Sequence, residues 1–276
     1  MQRDAIERIS DARTFLFVPA TRPERFGRAL TSGADVVIVD LEDAVAPEDK
    51  VAARAALIQK LDPAHPVLVR INDAGTPWFD GDLAIAGRPG VLGFMLSKAE
   101  PGSGLDRTVA ACPVVALIES ASGMAAVQTI AATEGVCRLA FGTIDLALDL
   151  GIGDEDLLSS FGLQLVLASR AARLPSPIHG VTPEFRDPKV VQAAMIAAAR
   201  SGFGAKMCIH PAQITPTLAA LMPTEEEFAW AKRVKAAADV GHRAAVALDG
   251  KMVDRPVIER ALRILHNASG VPRGAS

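Results

Sequence analysis

Eight short apolar runs, with helix-like stretches between them, constrain this sequence more than any other feature. They cover residues 14–19, 35–40, 67–71, 93–96, 114–118, 138–142, 178–181 and 205–209. Apolar residues stand on consecutive positions in these runs, so each strand must be covered on both faces. The segments between them, such as 47–61 and 123–134, carry helical spacing and alanine-rich faces. Eight alternating β and α segments predict an α/β protein with a closed (β/α)8 TIM barrel. An open doubly wound sheet is the competing arrangement. Its dinucleotide-binding form is weakened because no GxGxxG follows the first run.

The chain has 276 residues, enough for one barrel of about 250 residues and a small appendage. Past the eighth run the rhythm changes. Thr224-Glu225-Glu226-Glu227 reads as a capping box, opening a helix with Phe228, Ala231, Val234 and Ala238 on one face. A turn-rich stretch at 247–256 and a last helix around 257–266 follow. The expected organisation is a catalytic barrel over 1–222 and a C-terminal helical extension over 223–276.

Half of the residues are hydrophobic and only 4% aromatic, which suits a buried parallel sheet wrapped by small-residue helices. Lys and Arg total 29 against 32 acidic residues, and no basic stripe occurs, so neither nucleic acid nor an anionic membrane is an expected partner. No run of 18 apolar residues and no signal-like apolar start is present. The three cysteines, Cys112, Cys137 and Cys208, are scattered without a CxxC spacing. That pattern suits a reducing cytoplasm and fits neither a disulfide framework nor a zinc site.

In such a barrel, functional groups gather where strands end, at the C-terminal face. The first run leads to Arg22, the second to Asp40, Glu42 and Asp43, and the third carries Arg70 and ends at Asn72. The fourth reaches Lys98, the fifth Glu119, the sixth Asp145 and the eighth His210. Singly, each has an ordinary structural reading: Asp145 as a helix N-cap, Lys98 and His210 as satisfied polar groups. Jointly they do not resemble a set of caps, which favour Ser, Thr, Asn and Asp. Arg, Lys, Glu and His converging on one opening are what chemistry at a site requires.

Glu119 and Asp145, on neighbouring strands, suggest a hard cation held by oxygen, with Mg²⁺ keeping waters for a substrate. The alternative is a carboxylate pair that shares a proton as general acid and base. Arg22 and Arg70 imply an anionic substrate that a metal would chelate. A third possibility is a metal-free aldolase with Lys98 as a Schiff base, which needs a lysine of lowered pKa.

The residues also match a known family. The segment 13–19, Arg22-Pro23, Ala34-Asp35 and Asp40-Leu41-Glu42-Asp43-Ala44-Val45 resemble the HpcH/HpaI aldolase–citrate lyase family, in its citrate lyase β-subunit-like (CitE-like) branch. The resemblance continues through 69–72, Ile118-Glu119-Ser120, 140–146, Phe185-Arg186-Asp187, 206–211 and 248–254, nearly the whole chain. It implies that Glu119 and Asp145 bind Mg²⁺ and that Arg70 contacts substrate near a thioester. Phe17, Arg22 and Arg28 would hold the CoA portion, with Arg28 standing where malyl-CoA lyases carry lysine. Asp254 would be the proton-transfer group, offered to a neighbouring subunit in a homotrimer or larger oligomer. From the bare sequence Asp254 reads instead as an N-cap before Pro256. Asp40, Glu42 and Asp43 would orient Arg70 and metal-bound waters. The implied reaction is Mg²⁺-dependent cleavage of a 3-hydroxyacyl-CoA thioester, of malyl-CoA or citramalyl-CoA type, to a 2-oxo acid and an acyl-CoA. A citryl-carrier-protein thioester, cleaved by a citrate lyase β subunit, is the alternative substrate.

Overall fold

The computed structural model of the chain describes residues 2–240, 246–248 and 251–269. The chain divides at Leu218/Ala219 into two compact units. In the first, eight strands close a barrel in chain order. They are β1 (Thr14–Pro19), β2 (Val36–Asp40), β3 (Val67–Ile71), β4 (Val91–Leu96), β5 (Val114–Ile118), β6 (Val136–Phe141), β7 (Ile178–His179) and β8 (Ala205–Cys208). Every neighbouring pair in the barrel is parallel. The (β/α)8 reading of the eight runs is therefore correct.

Several ends differ from the sequence reading, each for a local reason. β2 starts after Asp35, because that carboxylate turns back to accept from Arg13 N (2.8 Å), Thr14 N (2.9 Å) and Thr14 Oγ1 (2.9 Å). β6 releases the chain at Gly142, and β7 is only two residues long. A Cβ on Gly180 would overlap Thr143 Oγ1, so the chain leaves β7 through a space that no side chain fits. The helical stretch at 123–134 is two short helices, Ala121–Ala125 and Val127–Ala132, opened by Ser120, whose Oγ accepts from Gly123 N.

Alternate residues of each strand point inward. Phe15, Ile38, Leu68, Leu117 and Met207 share one buried cluster with Ala5 and Ile9 of the helix Gln2–Asp11 and with Ala12, the residue after it. That helix is packed on the interior residues of the barrel at its N-terminal end. Arg138 fastens it: Nη1 donates to Ile9 O (2.8 Å), Ser10 O (3.2 Å) and Ala12 O (2.7 Å), while Nε reaches Ser176 O (2.9 Å). A cation on the last carbonyls of a helix is the favourable end for it. Cys112, Cys137 and Cys208 are buried and free. Burial pushes their thiols up, to about 12, 12 and 11 respectively.

The second unit contains the helix Glu225–Val240, an antiparallel pair β9 (Val246–Leu248) and β10 (Lys251–Val253), and the helix Arg255–Ser269. Ala231, Val234, Val253 and Ala261 form its core. The capping box is formed in both directions: Glu227 N donates to Thr224 Oγ1 (3.1 Å) and Thr224 N to Glu227 Oε2 (3.0 Å). Asp249 and Gly250, part of the motif at 248–254, lie outside the described residues. Among the described residues, no helix is long and apolar enough to cross a membrane.

Candidate active site

Register brings the first pair of charges together. Asp40 of β2 stands beside Arg70 of β3, so their side chains leave the sheet in the same direction. Both follow inward-facing residues, Ile38 and Leu68, by two positions and enter the mouth of the barrel. Asp40 accepts both ends of the guanidinium fork, from Nε at 2.7 Å and Nη2 at 2.6 Å. It also accepts from Glu42 N (2.9 Å) and Ala44 N (3.2 Å), which fold the loop after β2 around it. Nη1 of Arg70 meets Glu42 Oε2 at 2.9 Å and Asp43 Oδ2 at 3.2 Å. Below, the Phe17 ring lies 5.0 Å from Arg70 Cζ, a cation–π contact. Burial acts to lower the Arg70 pKa, but the Asp40 hydrogen bond and the surrounding carboxylates outweigh it and raise it. Arg70 is a fixed positive charge.

The loop itself is anchored by a residue the sequence reading passed over. Lys50 is on a helix that reads as exposed at that position, yet it is only 5% exposed. Its Nζ donates to Leu41 O (2.8 Å), Glu42 O (2.7 Å) and Asn72 Oδ1 (2.7 Å), using all three of its protons. Asn72 in turn donates to Asp82 Oδ2 at 2.6 Å.

Glu119 follows β5 and is 3% exposed. Its Oε1 accepts from Lys98 N at 2.8 Å, and Lys98 adopts a left-handed backbone (φ 45°) as that amide turns toward the carboxylate. Gly142, at the end of β6, lets the two strand ends approach: a Cβ there would overlap Glu119 Cβ and lie 2.7 Å from Oε2. Burial, with Asp145 and Asp43 adding to it, pushes the Glu119 carboxyl up to about 7. Glu42 is pushed up to about 8 by burial and its hydrogen bond with Asp43. Asp43 goes the other way: burial opposes ionisation, but Glu42, Arg70 and Lys98 together lower it. Burial in the mouth thus works against ionising Glu42 and Glu119.

A bound cation would offset that cost. The charge of Asp145 reaches Glu119, and a positive ion near the pair would relieve the burial of Glu119. Among the described residues, no group of three or more His, Cys, Asp or Glu forms a ligand set. Two carboxylates suit a hard ion that retains waters, such as Mg²⁺, better than one that demands a closed protein cage.

Several other expectations meet the structure here. Asp145 is not the N-cap of its helix: Gly142 takes that position, and Asp145 lies in the first turn of Thr143–Leu150. Lys98 is exposed and its amine is raised: burial lowers it, but Glu42, Asp73, Glu119 and Asp43 outweigh that. A Schiff-base lysine needs the opposite shift. His210 N-caps a 3₁₀ turn, its Nδ1 accepting from Ala212 N at 3.1 Å, and it stacks on Phe185 at 4.7 Å. Asp254 does cap the last helix, accepting from Val257 N at 3.3 Å.

Beside Phe17 opens a groove of about 580 Å³ between β1 and the turn after β8. Phe17, Arg28 and His210 line it, together with Arg25, a cation the sequence reading did not single out. Arg22 is exposed and is not among its lining residues. The groove offers an apolar floor with two guanidinium groups on one wall.

Comparison with known proteins identifies the family. Residues 13–211 match the HpcH/HpaI aldolase/citrate lyase family model. The citrate lyase subunit beta-like protein of Mycobacterium tuberculosis is 38% identical over 264 residues, covering 92% of this chain and 94% of that protein. The (3S)-malyl-CoA thioesterase of Cereibacter sphaeroides is 30% identical over 271 residues, covering 94% and 95%. The crystal structure of CitE from Mycobacterium tuberculosis in complex with magnesium, acetoacetate and coenzyme A superimposes with a TM-score of 0.84 at 36% identity, covering 94% of this chain and 99% of that one. The chain therefore belongs to the HpcH/HpaI aldolase/citrate lyase family of carbon–carbon lyases.

Proposed function

We propose that this chain is a stand-alone Mg²⁺-dependent lyase that cleaves a 3-hydroxyacyl-CoA thioester to a 2-oxo acid and an acyl-CoA. The observation that carries the reading is one continuous surface. The carboxylates Glu119 and Asp145 and the guanidinium of Arg70 share the barrel mouth, and Phe17 lies both beneath Arg70 and in the wall of the basic groove. Relatives support it: a CitE structure holds magnesium, acetoacetate and coenzyme A together, and another relative is named a malyl-CoA thioesterase.

The residues divide the work. Glu119 and Asp145 would hold Mg²⁺, which supplies Lewis-acid charge to the oxo-acid half of the substrate. As the carbon–carbon bond breaks, the hydroxyl loses its proton to solvent and becomes the carbonyl of the 2-oxo acid. The electron pair moves into the thioester, and Arg70, preorganised by Asp40, faces the enolate oxygen. A proton must then reach the thioester α-carbon. Asp254 is the group for it, offered by the second unit of a neighbouring subunit in a homo-oligomer. Exposed apolar side chains support such an assembly: Ile144 and Leu148 after β6, and Leu163 and Leu167 on the helix Glu155–Ala171. Arg25 and Arg28 suit the phosphates of free CoA, held in the cytoplasm's reducing conditions, and favour it over a carrier-protein thioester.

The test is a coupled assay on malyl-CoA and citramalyl-CoA, with and without Mg²⁺, following oxo acid and free thiol separately. Loss of a phosphate-dependent preference in Arg25→Ala, measured against dephospho-CoA and pantetheine esters, identifies the groove. Full turnover in metal-stripped protein would remove the Mg²⁺ reading. Asp254→Asn isolates the proton donor, because asparagine caps a helix about as well as aspartate but cannot transfer that proton. Mixed oligomers of Asp254→Asn and Glu119→Ala chains should regain activity if the acid crosses an interface.

A further inference from the structure

Behind the sheet, opposite the mouth side of β7 and β8, lies a charged group that the reaction does not use. Lys206 of β8 is fully buried, 0% exposed, in register with His179 of β7. Its Nζ donates to Gly180 O at 2.8 Å and stands 3.5 Å from His179 Nδ1. Burying an ammonium on a carbonyl and a neutral ring costs free energy unless the position gives something in return. Burial lowers the Lys206 amine to about 8 and drives His179 to about 3, so the ring stays neutral and can accept.

What these two partners of Lys206 touch is the turn that carries Asp145. His179 packs edge-on against Phe141 (6.4 Å) and Phe203 (4.9 Å), and Phe141 stacks on Phe203 (6.0 Å). Gly180 lies against Thr143 so closely that a Cβ would overlap Thr143 Oγ1 and come within 2.9 Å of Phe141 O. Between Phe141 and Thr143 stands Gly142, whose other side is filled by Glu119. The Phe141–Thr143 turn is therefore wedged between Glu119 and the end of β7. The backbone ladder does little to hold that end in place, since β6 and β7 pair through Ala140 and Ile178 alone.

We propose that Lys206 is a positioning residue for the Asp145 carboxylate: from behind the sheet it fixes His179 and Gly180, and they seat the turn that sets Asp145 against Glu119. This rests on the reading of Glu119 and Asp145 as the metal-holding pair. Lys206 touches neither substrate nor metal. It acts through the distance between two carboxylates on neighbouring strands, which a bound cation requires to be right before it arrives.

The test is Mn²⁺ binding to the full chain, followed by the electron paramagnetic resonance of the free ion, well below the melting temperature. Lys206→Met keeps the length and apolar stem but removes the donors. It should weaken Mn²⁺ by about tenfold or more, the usual range for groups that orient metal ligands. Lys206→Gln, which retains one donor for the Gly180 carbonyl, should recover part of that loss. Gly180→Ala, pressing on Thr143, should weaken Mn²⁺ as well. High Mn²⁺ should restore turnover in all three, a split between metal affinity and kcat that a general loss of stability would not produce. Folded variants that bind Mn²⁺ as wild type does would overturn the proposal. Should Lys206→Met not fold, the other two decide it by the same measurement. Wild type that binds no Mn²⁺ removes the metal reading and this proposal together, whereas tight wild-type binding with unaltered variants removes the proposal alone.

Discussion

Two arginines stand over two phenylalanines of β1, one at each end of the barrel. Arg138 lies 5.5 Å from the Phe15 ring at the closed end, and Arg70 lies 5.0 Å from the Phe17 ring at the open end. Both are buried, at 2% and 9% exposure. Their partners differ. Arg138 donates to main-chain carbonyls of the plugging helix and of the segment before β7. Arg70 is held by Asp40, Glu42 and Asp43, and Glu119 and Asp145 add charge nearby. The same side chain closes a structure in one place and, in the proposed reaction, prepares chemistry in the other. The lesson lies in the partners: main-chain carbonyls fasten the fold at one end, and clustered buried carboxyl groups with raised pKa mark the other as the candidate site.

Four substitutions would break or sharpen that contrast. The largest effect is expected at Glu119→Ala, which should abolish divalent-cation-dependent turnover while leaving the metal-free protein at least as stable as wild type. A fall in metal-free melting temperature would mean that the buried Glu119 carboxyl supports the fold rather than burdening it. Next, Arg70→Lys keeps the charge but loses the planar fork on Asp40, and kcat/KM should drop by about a hundredfold, as when one oxyanion donor is lost. Turnover within a few-fold of wild type would place Arg70 outside the reacting centre.

At the closed end, Arg138→Met should act on stability alone. Leaving buried carbonyls without their donor should cost about 2 kcal/mol, read from the urea midpoint at unchanged slope. A matching loss of kcat/KM in the folded protein would show that the two ends are coupled. The smallest effect concerns pH. Glu42 titrates near 8 in the folded chain against an ordinary 4.5, so the folded state holds the extra proton between these values. Its contribution to stability is therefore lost as pH rises through that window. In metal chelator, Glu42→Gln should flatten the decline of melting temperature from pH 5 to 8.5 (a window set by that shift). Parallel curves would mean that burial does not raise the Glu42 carboxyl.

Much of this was legible in the chain, because the barrel is written in a local code. Consecutive apolar residues mark strands covered on both faces, and the polar residue that ends such a run sits at the mouth. Asp40, Arg70 and Glu119 could be placed that way. What could not be read depends on contacts across the fold. Lys50 has the spacing of a solvated helix face, and only the loop at 41–42 and Asn72 draw it inside. Gly142 and Gly180 look like ordinary turn residues, and their need for a missing side chain appears only when Glu119 and Thr143 arrive from elsewhere. Arg25 shares its turn with Arg22, and nothing local says which of the two faces the groove. Asp254 is the reverse case. Its capping role is local and readable, while the second role proposed for it needs another subunit.

The three buried cysteines have a practical consequence. A thiol reacts as its thiolate, and these three are both shielded and shifted toward 11 or 12. At neutral pH the protein should be nearly silent to alkylating reagents. A single cysteine introduced at Met252, which is 72% exposed on β10, would then be the one site that takes a fluorophore or spin label. The second unit could be watched directly as thioester and metal are added, with no need to rebuild the core to clear the background.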